Sequence, residues 1–159
     1  MVKNDTTLHK SVLKAQNASN FSDSKTFLNK VFKSVKIDGT PKLAPKLQGH
    51  VLVLGIGDTA LDCARSAFRL GAERVSVAFR RGFQDMRAND EIFEPGRKEG
   101  INFIPYSAPI SYKISGSTVT AVEFDTNLPQ NNDPDHLKYN KTNQKYDLPV
   151  DYVVQAFGC

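Results

Sequence analysis

The strongest hydrophobic pattern in the chain runs from position 50 to position 81. Val51 to Leu54 is an unbroken apolar run, the pattern of a strand buried on both faces of a parallel sheet. Gly55-Ile56-Gly57 interrupts it. Asp58 and Thr59 are helix-start residues, with Asp58 expected as the N-cap. Ala60, Leu61, Ala64 and Phe68 then recur at helical spacing, and Leu70-Gly71 closes the helix. Val75 to Phe79 reads as a second strand, ending in Arg80 and Arg81. Strand, glycine turn, helix and strand within about 30 residues make one βαβ unit.

The flanking patterns are weaker. Residues 1–20 are rich in Asn, Ser, Thr and Lys and read as a poorly ordered tail with a helical turn near Val12 and Leu13. Residues 21–49 read as a helix and a connector. Ser24 is the expected N-cap, Phe27, Leu28, Val31, Phe32 and Val35 repeat at helical spacing, and Gly39, Pro41, Pro45 and Gly49 break the chain afterwards. Beyond Arg81 a short loop leads to a helix through Glu91, Ile92 and Phe93, which Pro95 is expected to kink or end. Ile101 to Ile104 is a third strand. Ile110 to Ile114 and Val119 to Phe124, around Ser115-Gly116-Ser117, predict an antiparallel hairpin. The polar stretch 127–145 reads as an exposed loop, and Val150 to Phe157 as the last strand. The expected fold is α/β: a Rossmann-like three-layer nucleotide-binding domain over residues 50–159, with a parallel sheet and an antiparallel hairpin or meander insertion. A buried strand ending in Ala156-Phe157-Gly158 should open onto a ligand-facing turn and a further element, so the domain reads as truncated at its C-terminal end.

Composition narrows the class. The 159 residues are 40% hydrophobic and 24% charged, which suits one globular domain and no fibrous protein. Two cysteines, Cys63 and Cys159, make no disulfide framework and no C-x-x-C pair, which fits a reducing cytoplasm and excludes a cysteine-held iron–sulfur or zinc site within the chain. Three scattered histidines give no metal motif. The polar N-terminus has no signal-peptide core, and no apolar run suits a membrane span. The net charge of +4 is concentrated in the first 50 residues, which carry nine lysines and three aspartates. These lysines are dispersed and lack interleaved aromatics, so solvation explains them better than a nucleic-acid or membrane partner.

The candidate chemistry sits on the βαβ unit. Gly55 permits a tight turn out of the strand, Gly57 offers a bare backbone to a pyrophosphate, and Ala60 lets the helix pack close. Free N–H groups and the positive dipole end of the helix face the phosphates. An acidic residue at the end of the second strand would accept the ribose 2′-hydroxyl of NAD. Arg80 and Arg81 stand there instead, and paired guanidinium groups suit the 2′-phosphate of NADP(H). Cys63 on the helix is expected to be packed, and Asp62, Arg65, Glu91 and Glu94 to be solvated charges.

Three segments carry a resemblance. V-L-V-L-G-I-G-D-T-A-L-D-C-A-R-S-A, V-S-V-A-F-R-R-G-F-Q-D-M-R-A and V-V-Q-A-F-G-C resemble the NADPH-binding portion of dihydropyrimidine dehydrogenase and, more distantly, glutamate synthase small subunit-like flavoproteins. The likeness begins near Phe21, and its most specific marks are G-D-T-A-x-D-C and F-R-x-G-F. The resemblance implies an intact cytoplasmic, homodimeric enzyme of pyrimidine catabolism. It would reduce uracil and thymine, passing electrons from NADPH through FAD, iron–sulfur clusters and FMN. It further implies that Ile56, Gly57, Asp58 and Thr59 touch the dinucleotide phosphates and that Arg80, Arg81 and Arg87 hold the 2′-phosphate. Ala156, Phe157 and Gly158 would line the cleft toward the remaining flavoprotein domains. Ile56 and Arg81 replace the alanine and lysine expected from the resemblance. Cluster cysteines, a complete FAD site and a pyrimidine domain are missing, so a fragment inactive by itself is expected. The competing expectation is a nucleotide-binding or partner-binding module without redox activity.

Overall fold

The computed structural model describes residues 13–33, 47–82, 89–129 and 139–157. Strand β1 (Phe21–Asp23) leads into helix α1 (Ser24–Lys33). Strand β2 (His50–Leu54), helix α2 (Asp58–Arg69) and strand β3 (Arg74–Ala78) form the expected βαβ unit. Helix α3 (Asn89–Lys98) and strand β4 (Asn102–Ile104) follow. Strands β5 (Ser107–Ser115), β6 (Thr118–Pro129) and β7 (Tyr139–Pro149) precede the last described strand, β8 (Tyr152–Gln155). The parallel sheet has the order β1-β8-β2-β3-β4, and β5-β6-β7 form a separate antiparallel sheet.

Residues of period two divide the core into two layers. Val51 and Val53 of β2, Val75 and Val77 of β3 and Val154 of β8 meet Phe27, Leu61, Ala64 and Phe93 on the helical side. Leu52, Leu54, Ala78 and Val153 meet Tyr112, Val119, Val122 and Phe124 of the antiparallel sheet. All four residues of the Val51–Leu54 run are therefore buried, two on each face. Fully burying a Val or Leu side chain is worth about 1.5–3 kcal/mol, so this run anchors the fold. The three-layer α/β architecture is the one expected.

The structure corrects five local expectations. Phe21–Asp23 is a strand, paired with β8 through Phe21–Val153 and Ser22–Val154. Asp23, not Ser24, caps α1: its carboxylate accepts the Thr26 N–H at 2.7 Å and the Thr26 hydroxyl at 2.9 Å. Those bonds, chiefly the backbone one, hold its carboxyl below the usual carboxylate range. Within the expected tail, residues 13–16 form the expected helical turn, but Ala15 and Ala18 are buried against the antiparallel sheet. Asn20 pins this segment: its amide donates to the Val119 and Asp151 carbonyls at 2.7 and 2.9 Å and accepts the Val119 N–H at 2.7 Å.

Helix α3 runs through Pro95 to Lys98. Proline removes one backbone bond there, while the buried Phe93 stacks on Phe79 and meets Phe103 edge-on at 4.9 Å, holding the helix in place. Within the expected loop 127–145, β6 continues to Pro129 and β7 begins at Tyr139. Backbone pairing with β6 and the stacking of Tyr146 on Phe124 at 5.4 Å hold β7, despite its Asn, Gln and Lys residues. Among the described residues no helix is long and apolar enough to cross a membrane.

Candidate functional site

Leu54, Ala78 and Gln155 are register partners, so β2, β3 and β8 end level with one another. Three segments therefore leave the sheet side by side at its carboxyl edge: Gly55-Ile56-Gly57, Phe79-Arg80-Arg81 and Ala156-Phe157. Backbone bonds continue past the strands, from Gly55 N–H to the Ala78 carbonyl at 2.9 Å and from Ala156 N–H to the Leu54 carbonyl at 2.7 Å. The carboxyl edge of a parallel sheet is where α/β folds bind ligands.

The two glycines do different work. Gly55 has φ 118°, and a Cβ there would lie 2.8 Å from the Phe157 nitrogen and 2.9 Å from the Ala156 carbonyl carbon. It is the close approach of β8 that requires a glycine at 55. Gly57 has φ 133°, and a Cβ there would meet nothing within 4 Å. Its bare face opens onto free space in front of α2.

Gly57 also occupies the N-cap position of α2, and no side chain caps that end. The expectation that Asp58 is the cap is therefore corrected: Asp58 is the first helical residue and exposed, because the extended, positive-φ Gly57 already makes the turn into the helix. The first intrahelical bond runs from Leu61 N–H to the Gly57 carbonyl at 3.1 Å, leaving earlier N–H groups to outside acceptors. Thr59 is exposed beside Asp58. Ile56 packs against the helix-side core, so its bulk is taken up by the core.

Arg80 and Arg81 are exposed, and among the described residues no salt bridge involves either guanidinium. Phe157 is 42% exposed at the same edge. Arg87 and Gly158, also expected at the site, lie outside the described residues. Cys63 is fully buried on α2, and burial pushes its thiol up to about 12, a packed and unreactive cysteine. Arg65 pairs with Glu99 at 2.9 Å on the surface, and Glu94 with Arg97 at 3.5 Å, as solvated charges should. Among the described residues no cluster of His, Cys, Asp and Glu could hold a metal ion.

Two features escaped the sequence reading. A groove of about 620 Å³ opens at the opposite, amino edge of the sheet, lined by Asn20, His50, Arg74 and Asp151 among others. Its polar groups are largely committed to one another. His50 Nδ1 donates to the Pro149 carbonyl at 2.9 Å, its Nε2 accepts from the Ser76 hydroxyl at 2.7 Å, and its N–H donates to Asp151 at 2.7 Å. Pro149 offers only a carbonyl, which fixes this neutral tautomer. Burial, more than the nearby Arg74, lowers the His50 pKa. None of the glycine-turn residues lines this groove. The second feature is Tyr106, a non-glycine residue at φ 55° directly beyond β4. Its N–H donates to the Arg81 carbonyl at 3.1 Å, which places it at the carboxyl edge. Nothing in the run Ile104-Pro105-Tyr106 signals that conformation.

No protein-family model matches the chain. The oxidoreductase YgfK of Escherichia coli O157:H7 is 34% identical over 116 residues, 72% of this chain and 11% of that protein. The glutamate synthase [NADPH] small chain of Escherichia coli K12 is 31% identical over 114 residues, 69% of this chain and 24% of that one. The chain thus spans a quarter or less of the length of these relatives. Mycobacterium tuberculosis FprA, solved in complex with NADPH, superposes with a TM-score of 0.62 at 15% identity, over 86% of this chain and 44% of FprA. The chain is similar in sequence to YgfK- and glutamate synthase small chain-type oxidoreductases, and it shares the α/β fold of FprA, a parallel sheet with helices and an antiparallel sheet.

Proposed function

We propose that this chain is the NADP(H)-binding module of a flavoprotein oxidoreductase. The observation that carries this is the level ending of β2, β3 and β8, which sets an uncapped helix end and a bare Gly57 beside the exposed Arg80 and Arg81. The pyrophosphate would lie across Gly57 on the N–H groups of Asp58, Thr59 and Ala60, where the helix dipole favours negative charge. Arg80 and Arg81 would take the 2′-phosphate, with Arg87 as a further candidate. Ala156, Phe157 and Gly158 would border the dinucleotide where it meets the flavin-bearing part. The bound nicotinamide would supply a hydride. This chain's residues bind and orient the donor, and the acceptor flavin belongs to the remaining domains. The similarity to an NADPH-dependent glutamate synthase small chain and to FprA supports this reading.

The finer assignment is to a dihydropyrimidine dehydrogenase-like enzyme. It rests on G-D-T-A-x-D-C at 57–63 and F-R-x-G-F at 79–83, while the relatives named above are of the YgfK and glutamate synthase type. In that assignment FAD, FMN and iron–sulfur clusters lie in the other domains and the intact enzyme is a cytoplasmic homodimer.

Titration calorimetry of wild type and Arg80→Ala with NADPH and NADH tests the binding mode. Contacts to a charged group are worth about 1.5–3 kcal/mol when well placed, so Arg80→Ala should weaken NADPH more than tenfold and leave NADH nearly unchanged. Equal weakening of both nucleotides would assign Arg80 to a shared group, and equal wild-type affinities would remove the 2′-phosphate assignment.

A further inference from the structure

We propose that Tyr106 is the positioning residue for 2′-phosphate recognition, holding Arg80 and Arg81 in the geometry that favours NADPH over NADH. The proposal rests on the reading of the arginine pair given above and extends it to a residue that acts through their backbone. Arg80 and Arg81 follow β3 as exposed side chains, so the placement of their backbone must come from elsewhere.

The turn between β4 and β5 supplies it. Phe79 N–H donates to the Ile104 carbonyl at 3.0 Å, and Ser107 N–H donates to the Phe79 carbonyl at 2.9 Å. Tyr106 N–H donates to the Arg81 carbonyl at 3.1 Å. Arg80 is thus held between two anchored neighbours. On its other side the Tyr106 carbonyl accepts the N–H of the buried Asn127 at 2.8 Å, tying the arginine turn to β6.

Making both bonds requires the left-handed backbone of Tyr106, at φ 55°, a conformation a bulky residue rarely adopts. Glycine or asparagine would take it with less strain, so an aromatic residue here implies a use for the ring. The ring lies over Gly82, directly after the arginines: a Cβ at Gly82 would fall on the phenol end, with ring Cε1 at 2.7 Å. The bare Gly82 and the ring of Tyr106 fit each other, and their contact closes the turn that carries both guanidinium groups. Bidentate recognition of a phosphate depends on the placement of the donor fork, so loosening this turn should cost the 2′-phosphate contact before any other.

The test uses the chain with Tyr106→Phe, Tyr106→Asn and Gly82→Ala, each titrated with NADPH and NADH and followed by thermal melting. Tyr106→Asn keeps a residue suited to the turn but removes the ring, and Gly82→Ala pushes the ring away from the other side. Both should lower the ratio of NADPH to NADH affinity at least fivefold through NADPH alone. Tyr106→Phe, which retains the ring, should keep the wild-type ratio within twofold. A wild-type preference for NADPH that survives both Tyr106→Asn and Gly82→Ala would overturn this proposal alone. So would equal weakening of both nucleotides, which marks a merely structural ring. A wild-type ratio near one would overturn the arginine reading and this proposal with it.

Discussion

Replacing Gly57 with alanine separates what the glycine turn does for the fold from what it does for a ligand. Its backbone, at φ 133° and ψ −175°, lies in a region essentially reserved for glycine. Holding alanine there costs on the order of 1–3 kcal/mol. No overlap adds to that, because the new Cβ meets no atom within 4 Å. For a domain of this size each kcal/mol lowers the melting temperature by about 2–4 °C, so Gly57→Ala should melt about 2–12 °C below wild type. Gly55→Ala carries similar strain and adds a clash with the Ala156–Phe157 backbone at 2.8 Å. This backbone is tied to the end of β2 by the Ala156 N–H bond to the Leu54 carbonyl and cannot move aside cheaply, and overpacking of this kind typically costs about 1–3 kcal/mol more. Gly55→Ala should therefore be the less stable variant. The order reverses for binding. The methyl at 57 stands where the pyrophosphate would cross the helix end, so NADPH affinity should fall tenfold or more in a protein that is still folded at 15 °C. Thermal melting by circular dichroism and calorimetry at low temperature measure the two effects. Wild-type NADPH affinity in folded Gly57→Ala would refute the placement of the phosphates. A lower melting point for Gly57→Ala than for Gly55→Ala would refute the steric account.

Two further outcomes concern the scaffold. Asp23→Ala should cost about 1 kcal/mol at pH 7 through loss of the α1 cap. Because the folded carboxyl titrates below its ordinary 3.8, this contribution is present above that pH and lost as pH falls through the folded value, so wild type and variant should converge in urea denaturation in strong acid. His50 acts in the same direction for the opposite reason, since its neutral form is the one bound by Pro149 and Ser76. Its folded pKa lies below the ordinary 6.5, so the unfolded chain takes up the proton first and stability falls as pH drops from 7.5 to 5.5. Urea midpoints at both pH values should differ less in His50→Asn than in wild type, and an equal difference would clear His50 of the effect.

The βαβ unit was legible because its signals are local. The Val51–Leu54 run, the two glycines and the spacing of Ala60, Leu61 and Ala64 all state the same structure within 15 residues or so of one another. Strand β7 was not legible, because only Tyr146 and Leu148 lean on the core and its remaining described side chains are mostly exposed. Long-range backbone pairing, which composition does not encode, holds the rest of it. Asn20 was missed for a related reason: its partners lie 99 and 131 residues away. At the candidate site the glycines and arginines could be picked out by residue type, since glycine and arginine have distinctive physical uses. Tyr106 could not, since tyrosine is a poor sequence signal for a left-handed turn. The capping role passed from Asp58 to Gly57 because one residue's backbone angle decided it, and sequence spacing leaves such boundaries open by a residue or more.

The place of β8 between β1 and β2 has a consequence for how the protein is made. A ribosome that has released the chain only as far as residue 150 has delivered both neighbours of the gap but not the strand that fills it. Until then the facing edges of β1 and β2 carry unpaired backbone groups, flanked by Val51, Leu52 and Val53, and are open to pairing with a foreign strand. The sheet therefore cannot zip up progressively behind the growing chain. Its closure waits for Tyr152–Gln155 to thread in, a pairing across more than 100 residues that topology makes slow. A chain stalled just short of this strand should be a client for holdase chaperones, and it should turn protease-resistant only once those four residues have emerged.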